Sequence, residues 1–332
     1  MTASTEKKYK ETKMKKIISS VCALLNTDGG DLVMNINESL ACDVQISNYI
    51  RMIEQRLTEI IGSVVMVSNI NFEKKEQKIV LHVEKSSALI STNYNLYLPT
   101  QTQVIPVQPN NAQIDIVKKL IAFDGERILH GVKIESHSRR LVKDQNCGLE
   151  ENKEIQFKNL KAGSSKCVTL ADRMKNNKLP SYISAFANHH GGHIYYGIKD
   201  DGTVEGEVVT DKDHDEITKK VGKTIDKMIW PQKPEKGKHW DIFFEPVLDI
   251  NSNAIPSTYV IVVFVGSCPG GVFVEEPESY KIVNGKVGKM KFSDWKMEFC
   301  HPVTRVISSR KPRIPPLAQR SSWSLPRDQK LC

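Results

Sequence analysis

The chain has 332 residues, of which 39% are hydrophobic, and a formal net charge of +8. It is long enough to bury a substantial core in two or three domains. No apolar run approaches the ~18 residues of a transmembrane helix, and the seven cysteines are odd in number and lack a C-x-x-C pair. These features argue against a disulfide framework and predict a cytoplasmic protein with reduced thiols and no membrane partner. The positive charge favours anionic partners, whereas 7% aromatic content argues against a dense base-stacking surface.

The first lobe is predicted to span residues 1–120. Its basic start, which includes Lys15 and Lys16, leads into an apolar helix, a Gly29-Gly30 turn and a strand. We expect these lysines to form either a solvated helix face or a phosphate-contacting ridge. The spacing of apolar residues predicts a helix at Ile46–Ile61 and two strands at Val64–Phe72 and Lys78–Val83. An edge strand broken by two prolines is predicted at Asn95–Val107.

Residues 121–147 show little periodicity and are interpreted as a connection to a second lobe at 148–303. That lobe opens with a strand in which Ile155 and Phe157 alternate with polar residues, so Gln156 is predicted to face solvent. A helix opened by Pro180 ends at a Gly-Gly turn and is followed by a β-rich run ending at Asp200. A helix and two strands are predicted beyond it, at Asp215–Ile229, Ile242–Ile250 and Tyr259–Val265.

The last segment, residues 304–332, is basic and contains four prolines. Such a composition buries too little apolar surface to order itself, so we expect a disordered tail. Arg310-Lys311-Pro312-Arg313 within it is a weak nuclear-import motif. Cytoplasmic localisation, with a nuclear alternative, follows from this pattern.

The two lobes are related by an internal duplication. Residues 20–38 and 182–200 share the order helix, Asn, Gly-Gly turn and strand, with Gly29 and Gly191 separated by 162 residues. The same offset pairs Asn26 with Asn188 and Glu38 with Asp200. The predicted fold class is therefore α+β, with two related lobes facing each other.

Several motifs in order resemble the schlafen family. They are E-x-x-x-I-x-F-K at 151–158, LPSYISAFANHHGGHIYYGIKDDGTVEG at 179–206, SVCALLNTDGGDLVMNI at 20–36, GGVFVEEPESY at 270–280 and FSDW at 292–295. The resemblance covers about residues 10 to 300 and is closest in outline to the short, mouse-type members that consist of the core alone. It implies an AlbA-like second lobe and a pseudo-symmetric, pillow-shaped pair of lobes around a basic valley that holds transfer or ribosomal RNA.

In nuclease members of that family, three acids of the second lobe cut RNA with a divalent metal. The resemblance places them at Glu151, Gln156 and Asp200. The middle position is an amide, which supplies neither the charge nor a good bridging ligand for Mg²⁺ or Mn²⁺. Glu151 and Asp200 remain as candidate metal ligands, and Glu154 is too far along the strand to replace Gln156.

The resemblance also implies a structural zinc site with a His-x-Cys and a Cys-Cys pair. In this chain the positions are His239 with Asp241, and Pro269 with Gly270. Only His239 keeps a good zinc ligand, so we do not expect the family's site to form in that arrangement. A site rebuilt from Cys268, Cys300 and His301 is the alternative.

The leading hypothesis is an RNA-binding schlafen core that engages transfer RNA, has an impaired nuclease site and regulates cell growth or immune quiescence. One alternative is an active Mg²⁺- or Mn²⁺-dependent endoribonuclease. Another is a growth regulator that binds protein partners and no RNA. ATP is not expected, because no G-x-x-x-x-G-K-[ST] loop is present. Basic residues that could grip an RNA backbone are Lys15, Lys16, Lys158, Lys161, Lys166, Arg173, Lys175 and Lys178.

Overall fold

The computed structural model describes residues 3–35, 43–75, 78–109, 111–122, 140–160, 169–300 and 322–324. It is a mixed α+β structure, as the sequence predicts. The chain divides into two compact units that are discontinuous in sequence. The first comprises 1–94, 108–115 and 277–332, and the second comprises 95–107 and 116–276.

The first unit is built on a four-stranded sheet in the order β13-β1-β3-β2. Its strands are β1 (Gly30–Asn35), β2 (Ile70–Lys75), β3 (Lys78–Val83) and β13 (Ser322–Ser324), and a separate hairpin is formed by β11 (Tyr280–Val283) and β12 (Lys286–Lys289). Its helices are α1 (Ala3–Leu25), α2 (Asp43–Ile61), α3 (Ser63–Asn69) and α8 (Phe292–Cys300). Helix α4 (Asn111–Ala122) runs from the first unit into the second.

The core of the first unit lies between the sheet and helices α1 and α2. Val21 on α1, Ile53 and Leu57 on α2, and Leu81 on β3 are fully buried in one cluster. The spacing of Ile53 and Leu57 places them on one face of α2. Burial of this stripe, rather than local propensity, is what holds the helix in place.

The second unit is built on a five-stranded sheet that contains β6 (Ile155–Lys158), β7 (Gly192–Tyr196), β8 (Glu207–Val208), β9 (Trp240–Leu248) and β10 (Ala254–Val265). Its helices are α5 (Leu170–Asn176), α6 (Leu179–Ala187) and α7 (Asp211–Lys227), and β4 (Tyr97–Pro99) and β5 (Val104–Pro106) form a hairpin beside α6. Strand β6 runs parallel to β7, and β7 is antiparallel to β10. One apolar cluster contains α6, α7 and Ile194, and another contains Phe157 and Tyr195. The sheet is therefore buried on both faces.

A buried asparagine ends a helix in each unit and makes matching hydrogen bonds. In the first unit the Asn26 amide donates to Ile90 O at 2.8 Å and accepts from Ile90 N at 2.7 Å. In the second, the Asn188 amide donates to Val272 O at 2.8 Å and accepts from Val272 N at 2.7 Å. Each side chain thus satisfies both backbone groups of one residue. This pair of hydrogen bonds recurs at the 162-residue offset of the duplication. The pseudo-symmetric arrangement of the lobes and the basic valley stay predictions.

Most predicted elements form close to their expected bounds, and Val64–Phe72 is the clearest correction. Residues 63–69 form helix α3 instead of a strand, and only Ile70 onward is extended. Gly62 precedes the helix with φ 87°, a conformation that lets the chain reverse after α2 and turn Met66 into the core. A short apolar run is compatible with either structure, and here packing decides.

Two other expectations need correction. Asn95–Val107 was expected to close the first lobe as an edge strand, but it forms the β4–β5 hairpin, which lies in the second unit. Gln156 was expected to face solvent, but it is fully buried, because the sheet is covered on both faces at β6.

The connection and the tail are described in part. Leu141 and Val142 are buried, and Val142 pairs with Leu248 of β9, so 140–147 belongs to the second unit. Residues 123–139 lie outside the described part. In the tail expected to be disordered, Ser322–Ser324 form β13 parallel to β1, and the rest of 304–332, with the import motif, lies outside the described residues. Among the described helices, none has the length and apolarity needed to cross a membrane.

Candidate nucleic-acid interface and metal site

Glu151, the first acid of the implied nuclease site, lies beside strand β6. Its Oε1 accepts a hydrogen bond from Phe157 N at 2.8 Å and lies 3.6 Å from Lys158 Nζ. The two side chains are only 13% and 16% exposed, respectively. The carboxylate is thus neutralised by a neighbouring ammonium group and held by the backbone.

Gln156 points into the interior at the middle of β6. Its Nε2 donates to Gln101 O at 3.2 Å and to Asn152 O at 2.9 Å, while Oε1 has no hydrogen-bond partner among the described residues. Two backbone carbonyls converging on one atom require a donor there. The surroundings of this side chain therefore select an amide and disfavour a carboxylate.

Asp200, the third implied residue, lies in the turn after β7 and is exposed. The next residue organises the turn: Asp201 Oδ1 accepts from Thr203 N at 2.9 Å, which lowers the pKa of Asp201. Glu151 instead lies beside Phe157, whose register partner on β7 is Tyr195. In the described parts of the chain, no three His, Cys, Asp or Glu side chains are grouped so that they could hold a metal ion.

The implied divalent metal does not fit these residues. A metal at Glu151 would displace a backbone hydrogen bond and sit beside the Lys158 cation. Gln156 offers only one neutral oxygen, and its amide nitrogen is already hydrogen-bonded to two backbone carbonyls. Hard cations such as Mg²⁺ and Mn²⁺ need several anionic oxygens that converge on one point.

His239, the remaining zinc candidate, is buried and fully engaged. Its Nδ1 accepts from Glu235 N at 3.0 Å, and its Nε2 lies 3.0 Å from the side-chain amide of Gln232. Because a backbone N–H can only donate, neutral His239 carries its proton on Nε2, and the Gln232 amide must present its oxygen. Burial lowers the pKa of His239, which favours this neutral form. The ring therefore anchors the loop before β9, and a zinc ion bound to either ring nitrogen would displace the hydrogen bond made there.

The other members of the zinc hypothesis fall in separate parts of the chain. Asp241 Oδ1 accepts from Ile242 N at 2.8 Å. Cys268 is buried in the second unit, Cys300 ends α8 in the first unit, and His301 lies outside the described residues.

The basic candidates for RNA contact fall into three groups. Lys15, Lys158 and Arg173 are engaged within the protein, by Glu278 at 3.0 Å, by Glu151, and by Leu160 O at 2.9 Å. Lys161 and Lys166 lie outside the described residues. Lys16, Lys175 and Lys178 are exposed and make no ion pair with any described residue. These three are the candidates best placed to meet a phosphate.

Helix α7 carries basic residues that the sequence analysis did not select. Lys220, Lys223 and Lys227 lie on one face at i, i+3 and i+7. The first turn of the helix is acidic and is closed by a capping box, in which Thr210 Oγ1 accepts from Asp213 N and the Asp213 carboxylate accepts from Thr210 N. The helical spacing of these lysines was the available signal, and the acidic start of the helix obscured it.

Comparison with known proteins identifies the class of domain. A family model described as "Schlafen, AlbA_2" matches residues 151–291, which include β6, α5–α7 and the sheet of the second unit. Two curated proteins named Poxin-Schlafen, from Monkeypox virus strain Zaire-96-I-16 and from Monkeypox virus, are each 25% identical over 302 residues. The alignments cover 83% of this chain and 57% of each relative, so the chain spans a little over half the length of these proteins.

The matched region is thus a schlafen AlbA_2 domain. The resemblance to the schlafen family seen in the motifs is confirmed by this domain match and by the similarity to the two Poxin-Schlafen proteins.

Proposed function

We propose that this chain is a schlafen-family core that binds structured RNA and does not cleave it. The observation that carries the proposal is the buried amide of Gln156, which donates to two backbone carbonyls where the family's nucleases carry an acid. The neutralisation of Glu151 by Lys158 acts in the same direction. Together these contacts leave Asp200 as the only solvated acid of the three implied positions.

RNA binding is supported by charge and by the exposed lysines. The chain has a net charge of +8, and Lys16, Lys175 and Lys178 are available to phosphates. A basic surface with few aromatic side chains suits duplex RNA, which proteins recognise mainly by shape, phosphates and 2′-hydroxyls. Transfer RNA as the ligand, and a role in cell growth or immune quiescence in the cytoplasm, are the finer parts of the proposal and rest on the family resemblance.

The test is a pair of titrations with one transfer RNA at physiological salt. Binding is measured by mobility shift and cleavage by gel after adding Mn²⁺, for the wild type, Gln156→Glu and Asp200→Ala. We expect the wild type to bind without cutting. Lys175→Glu/Lys178→Glu should weaken binding by roughly tenfold or more, because two phosphate contacts are lost.

Other outcomes separate the alternatives. Cleavage by the wild type that disappears in Asp200→Ala would establish the metal-dependent endoribonuclease. Absence of binding at physiological salt would favour a regulator that acts through protein partners.

A further inference from the structure

The second unit contains a cleft that no part of the implied nuclease site uses. It lies between α5, the first turn of α6 and α7, and Val274 closes one side. Its volume is about 380 Å³. This is at the lower end of the range for small-molecule pockets, so the cleft has room for one nucleotide and not for a duplex.

The inner surface of the cleft is apolar. Leu179, Val221 and Met228 line it and are at most 7% exposed, with Ala171 beside them. These residues belong to the core cluster under α6 and α7, so the floor is part of the packed interior and is rigid. An apolar floor of this kind accepts the flat face of a base or the carbon frame of a ribose.

The rim of the cleft is basic. Lys175, Lys223 and Lys227 are exposed and make no ion pair with any described residue. Lys220 lies among them, but its Nζ is 3.0 Å from Asp172 Oδ1 and 2.8 Å from Glu216 Oε1. Three uncompensated cations around one apolar cleft, two of them at i and i+4 on one helix, repel each other until an anion binds.

Glu275 is the remaining charged group on the rim. A carboxylate accepts hydrogen bonds, so it suits a ribose hydroxyl or a base N–H and not a phosphate. The cleft thus combines a phosphate-binding side, an apolar floor and an acceptor. This combination matches a nucleotide better than it matches inorganic phosphate, which has neither a flat apolar face nor a ribose hydroxyl.

We infer that this cleft binds a single unpaired nucleotide of the RNA that the chain engages, with its phosphate at Lys175, Lys223 and Lys227. The inference rests on the proposed function and adds to it a preference for RNA with an unpaired end or a flipped nucleotide. It also assigns α7 to the RNA-binding surface.

A direct probe of the cleft is the methyl group of Met228. In protein labelled at methionine methyls, with the Met228 signal assigned from Met228→Leu, uridine 5′-monophosphate should shift that signal at millimolar concentration. Uridine and inorganic phosphate should shift it less, because each supplies only part of the contacts. An unmoved Met228 signal with the nucleotide, or a shift by a polyglutamate peptide alone, overturns the inference.

A second experiment compares blunt duplex RNA with the same duplex carrying a single-stranded overhang. We expect the wild type to bind the overhang RNA more tightly than the blunt duplex. Lys223→Glu/Lys227→Glu should weaken binding of the overhang RNA by at least about tenfold. The matched control is Lys212→Glu/Lys219→Glu, which makes the same charge change on α7 at exposed residues outside the cleft. Thr224→Tyr fills the cleft without changing charge and should remove the overhang preference while leaving blunt duplex binding intact.

The outcomes distinguish this inference from the proposed function. Equal binding of both RNAs by the wild type, unaffected by Thr224→Tyr, overturns the inference and leaves RNA binding standing. Failure to bind either RNA overturns both, even if the free nucleotide shifts Met228. Circular dichroism of each variant checks that the fold is retained, and the Met228 titration on wild-type protein does not depend on any variant folding.

Discussion

At the scale of single residues, Gln156 shows how an interior can be built around one amide. Its Nε2 is held by the carbonyls of Gln101 and Asn152, and the side chain has no exposed surface. A carboxylate of the same shape would direct lone pairs at those two carbonyl oxygens. The position therefore discriminates chemically between two isosteric side chains.

We expect Gln156→Glu to destabilise the fold by about 1–3 kcal/mol at neutral pH, since buried donors are lost and a charge is buried. Burial raises the pKa of the new carboxyl above its unfolded value of about 4.3. The protonated form is therefore favoured by folding. The stability of Gln156→Glu relative to the wild type should be highest below that unfolded pKa and should fall as the pH rises through the folded pKa of the new carboxyl.

Thermal unfolding of Gln156→Glu and the wild type across acidic to neutral pH measures this effect, with Glu154→Gln as an exposed control on the same strand end. A variant as stable as the wild type at every pH would contradict the expectation. If that variant also cleaved RNA with Mn²⁺, an acid site would have to form at this position.

His82 on β3 is a second residue whose partners set its protonation. Its Nδ1 lies 2.8 Å from Asp31 Oδ1 and its Nε2 lies 2.9 Å from Glu73 Oε2. Partial burial lowers the pKa of His82, but the hydrogen bonds of Glu73 and Asp31 together outweigh burial and raise it. The imidazolium form, which donates from both nitrogens, is thereby favoured.

A raised folded pKa means that the stabilisation is complete below the unfolded value of about 6.5 and is lost as the pH rises through the folded value. Because the site is partly exposed, we expect His82 to contribute less than about 1 kcal/mol. Unfolding by urea from about pH 5.5 upward to about pH 8.5, starting below the unfolded pKa, should show a smaller pH dependence in His82→Gln. An identical profile for the two proteins would show that the cluster does not couple to folding.

At the scale of elements, periodicity predicts helices better than it predicts which face of a strand is buried. Helices α2, α6 and α7 and strands β7 and β10 have strong local signals, such as Pro180 in the first turn of α6. Helix α3 was missed because four apolar residues fit either structure. Burial of Gln156 was missed because alternation assumes one solvated face, and β6 has none.

The sequence identifies the residues of the candidate site but not the contacts that those residues make. The motif places Glu151, Gln156 and Asp200 along the chain, but the ion pair with Lys158 and the carbonyls around Gln156 arise from tertiary packing. The carbonyl of Gln101 comes from the β4–β5 hairpin, 55 residues earlier in the chain. No local pattern signals such a contact.

The paired asparagines at the helix ends give a prediction at this scale. Asn188→Ala leaves the N–H of Val272 unsatisfied in a buried setting, while the Val272 carbonyl keeps the hydrogen bond from Ser184 Oγ. Asn26→Ala does the same to Ile90, whose carbonyl keeps the hydrogen bond from Ser279 Oγ. Each change should destabilise the protein by about 1–3 kcal/mol, because one buried N–H loses its acceptor. The control Asn176→Ala lies exposed at the end of α5.

Chemical denaturation of the three variants measures these differences. A loss at Asn188 or Asn26 no larger than at Asn176 would show that the surrounding loop can rearrange or that water replaces the amide. Similar losses at Asn26 and Asn188 would show that both units depend on the same local device.

At the scale of the whole molecule, neither unit is a continuous stretch of chain. Residues 95–107 belong to the second unit, whereas 277–300 belong to the first. In the second unit the β4–β5 hairpin packs beside α6 and supplies the Gln101 carbonyl to Gln156. In the first, β11 lies beside α1, and Tyr280 O accepts from the Asn26 amide at 3.0 Å.

This connectivity predicts how the chain responds to division. A fragment of residues 1–120 lacks β11, β12 and α8, and a fragment of 148–300 lacks β4 and β5. Each fragment would expose core side chains and buried amides that the missing segment covers, so we expect neither to unfold cooperatively when expressed alone. A fragment pair cut inside 123–139 and expressed together retains every described segment and should recover the wild-type unfolding transition. Cooperative unfolding of the isolated 148–300 fragment at the wild-type temperature would show instead that the hairpin at 95–107 is dispensable, and the buried position of Gln156 would then need another source of hydrogen-bond acceptors.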